Sequence, residues 1–179
     1  MITVRVMHPD EWNEARAVCV GAFDEPGIDT LLDTLRSSWG WADELAFVAE
    51  LEGEVVGLVV FTPSFIDTPD RVVQVLVLSP LGVRRDLQNQ GIGDALVRGA
   101  LAELERTRSE PAIFLEGIPT YYPRFGFRRG VDCGFRQASD RVPDEGFMVY
   151  LMPSYEPSVR GALAYADAFW RADAVGLRE

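Results

Sequence analysis

An α/β (α+β) domain with a C-terminal extension is what this sequence predicts, on three observations. The 179 residues, 47% of them hydrophobic, suffice for one well-buried domain. Apolar runs at 46–51 and 55–61 flank Glu52-Gly53-Glu54, a hairpin signal with glycine where the turn needs it. A third apolar run, Val72 to Val83, passes through a glycine-bearing turn into a long helical pattern that starts at Ile92.

Along the chain, Ile2, Val4 and Val6 alternate with Thr3 and Arg5, which predicts a short half-buried strand. Pro9, Asp10 and Glu11 suit a first helical turn, and Trp12, Ala15, Val18, Cys19 and Ala22 continue at helical spacing to an end near Phe23. Asp24 to Gly27 is a loop, and Ile28, Leu31, Leu32 and Leu35 make a second helical face. Pro63 to Asp70 is expected as a loop. The run from Val72 to Val83 is long for one strand. Pro80 cannot donate a ladder hydrogen bond, so pairing is expected to be irregular there. From Ile92 to about Arg108, Ile92, Leu96, Val97, Leu101 and Leu104 share one helix side. Ala112 to Leu115 is expected as a buried strand, Tyr121 to Phe125 as a short helix or turn, Phe127 onward as a strand, and Phe147 to Leu151 as the last one. After Met152 the chain changes character: Pro153 and Pro157 punctuate it, and Leu163, Tyr165, Phe169 and Trp170 follow. Residues 1–152 are therefore expected to form the domain. Residues 153–179 are expected to form an extension docked on it or on a second subunit, as in a homodimer.

The turn Val83-Arg84-Arg85-Asp86-Leu87-Gln88-Asn89-Gln90-Gly91-Ile92-Gly93 is the most informative stretch. Glycines free the backbone N–H groups to face a ligand, and the first helical turn adds unsatisfied donors and a positive dipole end. Such a turn holds a phosphate or pyrophosphate. A P-loop would need Lys and then Ser or Thr after Gly93, where Asp94 and Ala95 stand. A dinucleotide fingerprint would need glycine at Leu96 and a place near the first strand.

The pattern Val-x-x-x-x-Gln-x-x-Gly-x-Gly resembles motif A of the GNAT superfamily of acyl-CoA-dependent N-acetyltransferases. Tyr121-Tyr122-Pro123-Arg124-Phe125-Gly126-Phe127 resembles that family's Tyr-x-x-x-Gly-Phe motif. The element order from Ile2 to Leu151 is similar to the family's, and uncharacterised bacterial members share the Gly-Phe-Met-Val ending at Val149. The resemblance implies a central mixed, mostly antiparallel sheet flanked by helices, with a bulge in the strand before the turn. It implies transfer of an acetyl group from acetyl-CoA to an amine of a small molecule or peptide, by direct attack in a ternary complex. In the family the first helix-loop-helix borders the acceptor site.

On that reading, backbone groups from Gln88, Asn89, Gln90, Gly91, Ile92 and Gly93 hold the pyrophosphate. Leu81 and Val83 offer main-chain groups to the pantetheine arm as if it were an added strand. Arg84 and Arg85 stand at the mouth of the loop, either meeting cofactor phosphates or serving as solvated loop charges. Tyr122 occupies the family's proton-donor position, while Tyr121 is expected in the core. A tyrosine near pKa ~10 protonating a thiolate near ~8.5 works uphill by roughly 2 kcal/mol, so the site must either favour the phenolate or act by hydrogen bonding as sulfur charge develops. The base is open. His8 is poorly placed, Val72 to Leu78 carries only Gln74 among apolar residues, and Glu116, Asp24 and Glu25 remain candidates that otherwise read as surface carboxylates. The asparagine that some members place after the next strand is replaced by Gly117-Ile118-Pro119.

Composition narrows the partners. A formal net charge of -11 disfavours nucleic acid and is compatible with a cationic amine. Two cysteines, Cys19 and Cys133, show neither metal spacing nor a disulfide framework, and no metal is expected. No apolar run approaches the ~20 residues of a membrane span, so a soluble, cytoplasmic protein is expected. Cys133 lacks the histidine that would activate it as an acyl carrier. A non-catalytic acyl-CoA-binding module is the alternative to an enzyme.

Overall fold

The computed structural model describes residues 1–177. Strand β1 (Ile2–Val6) is followed by a 3₁₀ turn at Pro9–Glu11 and by helices α1 (Trp12–Gly21) and α2 (Ile28–Arg36). Strands β2 (Ala46–Leu51), β3 (Glu54–Asp67) and β4 (Val72–Val83) then form a meander. Helix α3 (Ile92–Thr107) leads to β5 (Ala112–Glu116), and a 3₁₀ turn at Tyr122–Phe125 to the two-residue strands β6 (Arg128–Arg129) and β7 (Phe135–Arg136). The chain closes with β8 (Phe147–Leu151), β9 (Gly161–Ala164) and the short helix α4 (Asp167–Arg171).

The main path of the sheet runs β1-β2-β3-β4-β5-β8-β6, antiparallel except for the parallel pair β4 and β5. The crossover that a parallel pair requires is α3. Period-two alternation sorts the strands' side chains onto two faces. Phe47, Phe61, Leu76, Leu78, Ile113 and Leu115 meet Leu96, Val97, Ala100 and Leu104 of α3 on one face. Each fully buried leucine there contributes roughly 1.5–3 kcal/mol. On the other face Ala46, Val48, Leu58 and Val60 meet Ala15, Cys19 and Leu32 of α1 and α2. Val75, Val77, Phe114 and Phe147 meet Leu31 and Leu35 of α2, together with Tyr165 and Phe169 from the end of the chain.

Four local expectations change. Helix α1 ends at Gly21 rather than near Phe23. Residues after Phe127 pair only at Arg128 and Arg129, because the chain turns at Gly130, whose N–H donates to the Phe147 carbonyl. Strand β3 continues to Asp67 where a loop from Pro63 is expected. Its outer half is paired on both sides, Phe65 with Gln74 of β4 and with Ala164 of β9. The residues after Met152 thus include a strand, β9, that extends the sheet beyond the end of β2.

Two interruptions of the ladder open the sheet. Val59 pairs with Leu81 and Phe61 with Leu78, so β4 spends one residue more than β3 in a bulge at Ser79-Pro80. Strand β4 pairs with β5 only at Leu76↔Ile113 and Val77↔Phe114, although the two strands run on to Val83 and Glu116. From Leu78 onward, one edge of β4 therefore has no neighbouring strand among the described residues.

Candidate functional site

A cleft of about 790 Å³ occupies the gap where β4 and β5 part. Leu78, Ser79, Pro80, Leu81 and Val83 line one wall, and Glu116, Gly117 and Ile118 the other. The start of α3 closes one end, Tyr121, Tyr122 and Arg124 border it, and Phe23 and Ile28 reach in from the loop between α1 and α2.

The α3 end presents backbone donors to the cleft. Gly91 caps the helix at φ 82°, a left-handed conformation that glycine adopts without strain, and a Cβ there would point into open space. Asn89 also has positive φ, 60°. Among the described residues, the backbone N–H groups of residues 89–94 donate to no protein acceptor. Orphan donors at the start of a 16-residue helix, opening onto a cleft, are what a phosphate group needs. A pyrophosphate fits that requirement, and the free edge of β4 at Leu81 and Val83 fits an extended amide-bearing arm.

The candidate residues divide. Leu81, Val83, Gln88, Asn89, Gly91 and Gly93 line the cleft. Ile92 points into the core, so only its main chain is at the turn. Gln90 donates from its side chain to the Asp86 carbonyl within the loop. The side chain of Gln88 donates to the carbonyls of Val83 and Ala22, and Arg85 donates to the carbonyl of Gly21. Two side chains of the turn thus satisfy carbonyls at the C-terminal end of α1. Arg85 also pairs with Asp24 at 2.7 Å, and Arg84 with Glu54 at 2.8 Å and Asp86 at 3.0 Å. Both arginines already have acidic partners in the protein.

Tyr121 corrects the expectation of a core residue. It lines the cleft half-buried, and its hydroxyl donates to Asp94 Oδ1 at 3.2 Å in the first turn of α3. A Cβ on Gly93 would come within 2.9 Å of that hydroxyl. Burial, and then the Asp94 carboxylate, push the Tyr121 phenol up to about 12. Arg124, which sequence reasoning does not single out, pairs with Asp94 at 3.5 Å and lies over the Tyr121 ring at 4.6 Å.

Tyr122 is different. Its ring packs against Tyr121, Phe125 and Phe127, yet its hydroxyl has no hydrogen-bond partner among the described residues. Burial raises its pKa above the ordinary phenol value, with a smaller push from Tyr121. At neutral pH it is a proton-bearing donor.

Glu116 is exposed, as expected of a surface carboxylate, but both of its oxygens are engaged. It lines the cleft, with Oε1 accepting from the Tyr165 hydroxyl at 2.7 Å and Oε2 from the Gly176 N–H at 2.9 Å. Desolvation raises its pKa above the usual carboxylate value, against the lowering effects of Tyr165, Gly176 and the nearby Arg141 charge. Asp24 lies outside the cleft lining and is paired with Arg85, Glu25 also lies outside it, and Gln74 is bonded to Glu110 at 3.0 Å. His8 sits before the first turn, where its N–H donates to Glu11. Cys133 is held as a thiol, its pKa raised by desolvation. No group of metal-ligating side chains is found among the described residues.

Residues 42–129 match the family model described as an acetyltransferase (GNAT) domain. The uncharacterised N-acetyltransferase YjhQ of Escherichia coli (strain K12) is 26% identical over 152 residues, which cover 85% of this chain and 83% of that protein. The crystal structure of the GNAT family N-acetyltransferase YhbS from Escherichia coli in complex with CoA is similar with a TM-score of 0.84 and 26% identity, over 99% of this chain and 96% of that one. A GNAT family acetyltransferase from Brucella melitensis in complex with acetyl-CoA is similar with a TM-score of 0.72 and 27% identity, over 94% and 98% of the two chains. The mixed sheet, its bulged and parted strands and these likenesses agree: the chain carries a GNAT acetyltransferase domain and is an acyltransferase of that family.

Proposed function

We propose that this protein is an N-acetyltransferase that moves an acetyl group from acetyl-CoA to an amine by direct attack, with both substrates held in the cleft together. The observation that carries the reading is the coincidence of orphan N–H groups at 89–94, the unpaired edge of β4 and the free Tyr122 hydroxyl in one cleft. The two relatives whose structures hold CoA and acetyl-CoA support the choice of cosubstrate.

Acetyl-CoA, when bound, supplies a thioester carbonyl open to attack. Backbone donors of Gln88 to Gly93 take the pyrophosphate, with Gly91 keeping the turn free of side-chain bulk. Main-chain groups of Leu81 and Val83 hold the pantetheine arm, and Arg84 and Arg85, held by Glu54, Asp86 and Asp24, stiffen the rim of the turn. Tyr122 donates a hydrogen bond to the leaving sulfur. Because burial lifts its pKa further from that of a thiol, full proton transfer costs more than the roughly 2 kcal/mol of the unperturbed pair, and Tyr122 acts by stabilising charge. Phe23 and Ile28 border the side from which the acceptor enters. No described helix is long and apolar enough to cross a membrane, and the free thiols Cys19 and Cys133 support a place in the reducing cytoplasm.

The test is thiol release from acetyl-CoA against a panel of metabolite and peptide amines, with mass spectrometry of the products. An amine-dependent release with a product heavier by one acetyl group is expected. Tight acetyl-CoA binding without turnover on any amine would favour the non-catalytic module instead.

A further inference from the structure

Asp94 and Glu116 are the carboxylates that line the cleft among the described residues. Asp94 has a cation of its own, Arg124. Glu116 has none. Its two hydrogen-bond donors, the Tyr165 hydroxyl and the Gly176 N–H, are neutral, and no described arginine comes within ion-pairing distance. Arg141 is the nearby cation; its guanidinium donates to the Val175 carbonyl at 3.2 Å. A carboxylate offers about four lone-pair sites, of which these two bonds use two. The contrast with Asp24, Asp86, Glu54 and Glu110, each paired to an arginine, leaves Glu116 as the cleft carboxylate without an ion pair among the described residues, Arg141 acting on it only through space.

The placement is deliberate in its construction. Both donors come from the chain beyond Met152, and Tyr165 is itself fixed by ring contacts with Phe169 and Trp170. Ala166 N–H donates to the buried Ser64 hydroxyl of β3 at 3.1 Å, which locks this segment to the sheet. On the other side, Gly117 lets the Tyr122 ring lie directly against the residue after Glu116. The Glu116 carboxylate, without an ion pair among the described residues, and the Tyr122 phenol both line the cleft.

We infer that Glu116, positioned by Tyr165 and Gly176, receives the acceptor's amine as an alkylammonium cation and so selects cationic amines over neutral nucleophiles. The inference rests on the acetyl-transfer reading of the cleft and names its substrate class. The formal charge of -11 works in the same direction, since the field of the protein draws cations toward it. The C-terminal segment then has a defined task at the site, which is to orient the carboxylate that meets the acceptor.

Two measurements on the full chain test this. In the first, the CoA-saturated protein is titrated with butylammonium chloride and, as the neutral control, with 1-butanol, and followed by NMR. Butylammonium should perturb Glu116, Tyr165 and Gly176 and bind at least tenfold more tightly to the wild type than to Glu116→Gln, while butanol should not distinguish the two proteins. Perturbations elsewhere, or equal ammonium affinity in both, would overturn the inference, and the mapping in the wild type holds even where the variant folds poorly. In the second, the amine panel is acetylated by both proteins. Glu116→Gln should raise the amine KM tenfold or more with the acetyl-CoA KM unchanged, and Tyr165→Phe should raise the same constant less. Equal amine KM in wild type and Glu116→Gln sinks this inference alone. Glu116-dependent ammonium binding in a wild type that acetylates nothing keeps it and removes only the acetyl-transfer reading.

Discussion

The ring of Tyr122 occupies the space that a side chain at Gly117 would need: a Cβ there would fall 2.5 Å from Cε2 and 2.9 Å from Cδ2. Gly117 follows the last residue of β5, so this contact sets the distance between the end of the strand and the phenol. Gly117→Ala must push the ring away, since Leu115 Cδ1 at 3.0 Å closes the alternative. The variant should lose roughly 1–3 kcal/mol of stability by overpacking and at least tenfold in kcat, with acetyl-CoA affinity close to wild type. Unfolding curves and steady-state kinetics on the same preparation check both; wild-type kcat in a destabilised variant would show that ring placement does not matter to turnover.

Tyr122→Phe isolates the hydroxyl. The ring contacts with Tyr121, Phe125 and Phe127 remain, and because the hydroxyl has no hydrogen-bond partner among the described residues, none of them is orphaned. Thermal stability should stay within a degree or two. Turnover should fall by ~10²-fold with acetyl-CoA affinity retained, the signature of an interaction made mainly in the transition state. A Phe variant at full speed would reject the role, and pairing calorimetric titration of acetyl-CoA with turnover separates the two readings.

The same residues show what a sequence reveals and what it conceals. The glycine-bearing turn from Val83 to Gly93 and the helix start after it are legible because they need only local backbone: two glycines within a few residues. The bulge is legible because Pro80 lacks an N–H. The extension of β3 to Asp67 is not, since its outer partner Ala164 lies about a hundred positions away and no local pattern encodes that pairing. The engagement of both Glu116 oxygens is concealed for the same reason, their donors being 49 and 60 positions distant. Tyr121 and Tyr122 are adjacent and chemically alike; only the tertiary position of Asp94 engages one hydroxyl and leaves the other free. Arg84 and Arg85 read from sequence as phosphate ligands or solvated loop charges alike, and their acidic partners Glu54, Asp86 and Asp24 come into view only in the structure.

On the edge strand β1, Arg5 joins Glu11 at 2.6 Å and Glu50 at 2.9 Å. The Arg5 guanidinium, helped by the His8 N–H, holds the Glu11 carboxyl down at about 2 against the opposing effect of burial. A carboxyl depressed in the folded state adds stability above its unfolded pKa of ~4.5, and that stability is lost as pH falls through about 2. Glu11→Gln should therefore lower stability by about 1 kcal/mol at pH 7, with the gap to wild type closing between pH ~4.5 and ~2. Urea unfolding at the two ends of that window measures it. A gap independent of pH would assign the loss to packing rather than charge.

Gly91 separates backbone strain from charge at the proposed pyrophosphate site. Any other residue there must hold a left-handed φ of 82°, at a cost of roughly 1–2 kcal/mol, but its Cβ projects into open space and strikes nothing. Gly91→Ala therefore measures strain alone, and Gly91→Glu adds a negative charge beside the orphan N–H groups that are proposed to hold the pyrophosphate. Both variants should fold, with similar losses in melting temperature. Acetyl-CoA affinity by calorimetry should fall modestly in the alanine variant and by ~10²-fold or more in the glutamate variant, and added salt should recover part of the second loss by screening the charge. Equal affinities in the two variants would place the phosphates elsewhere, because a charge that close to a bound pyrophosphate cannot leave its binding unchanged.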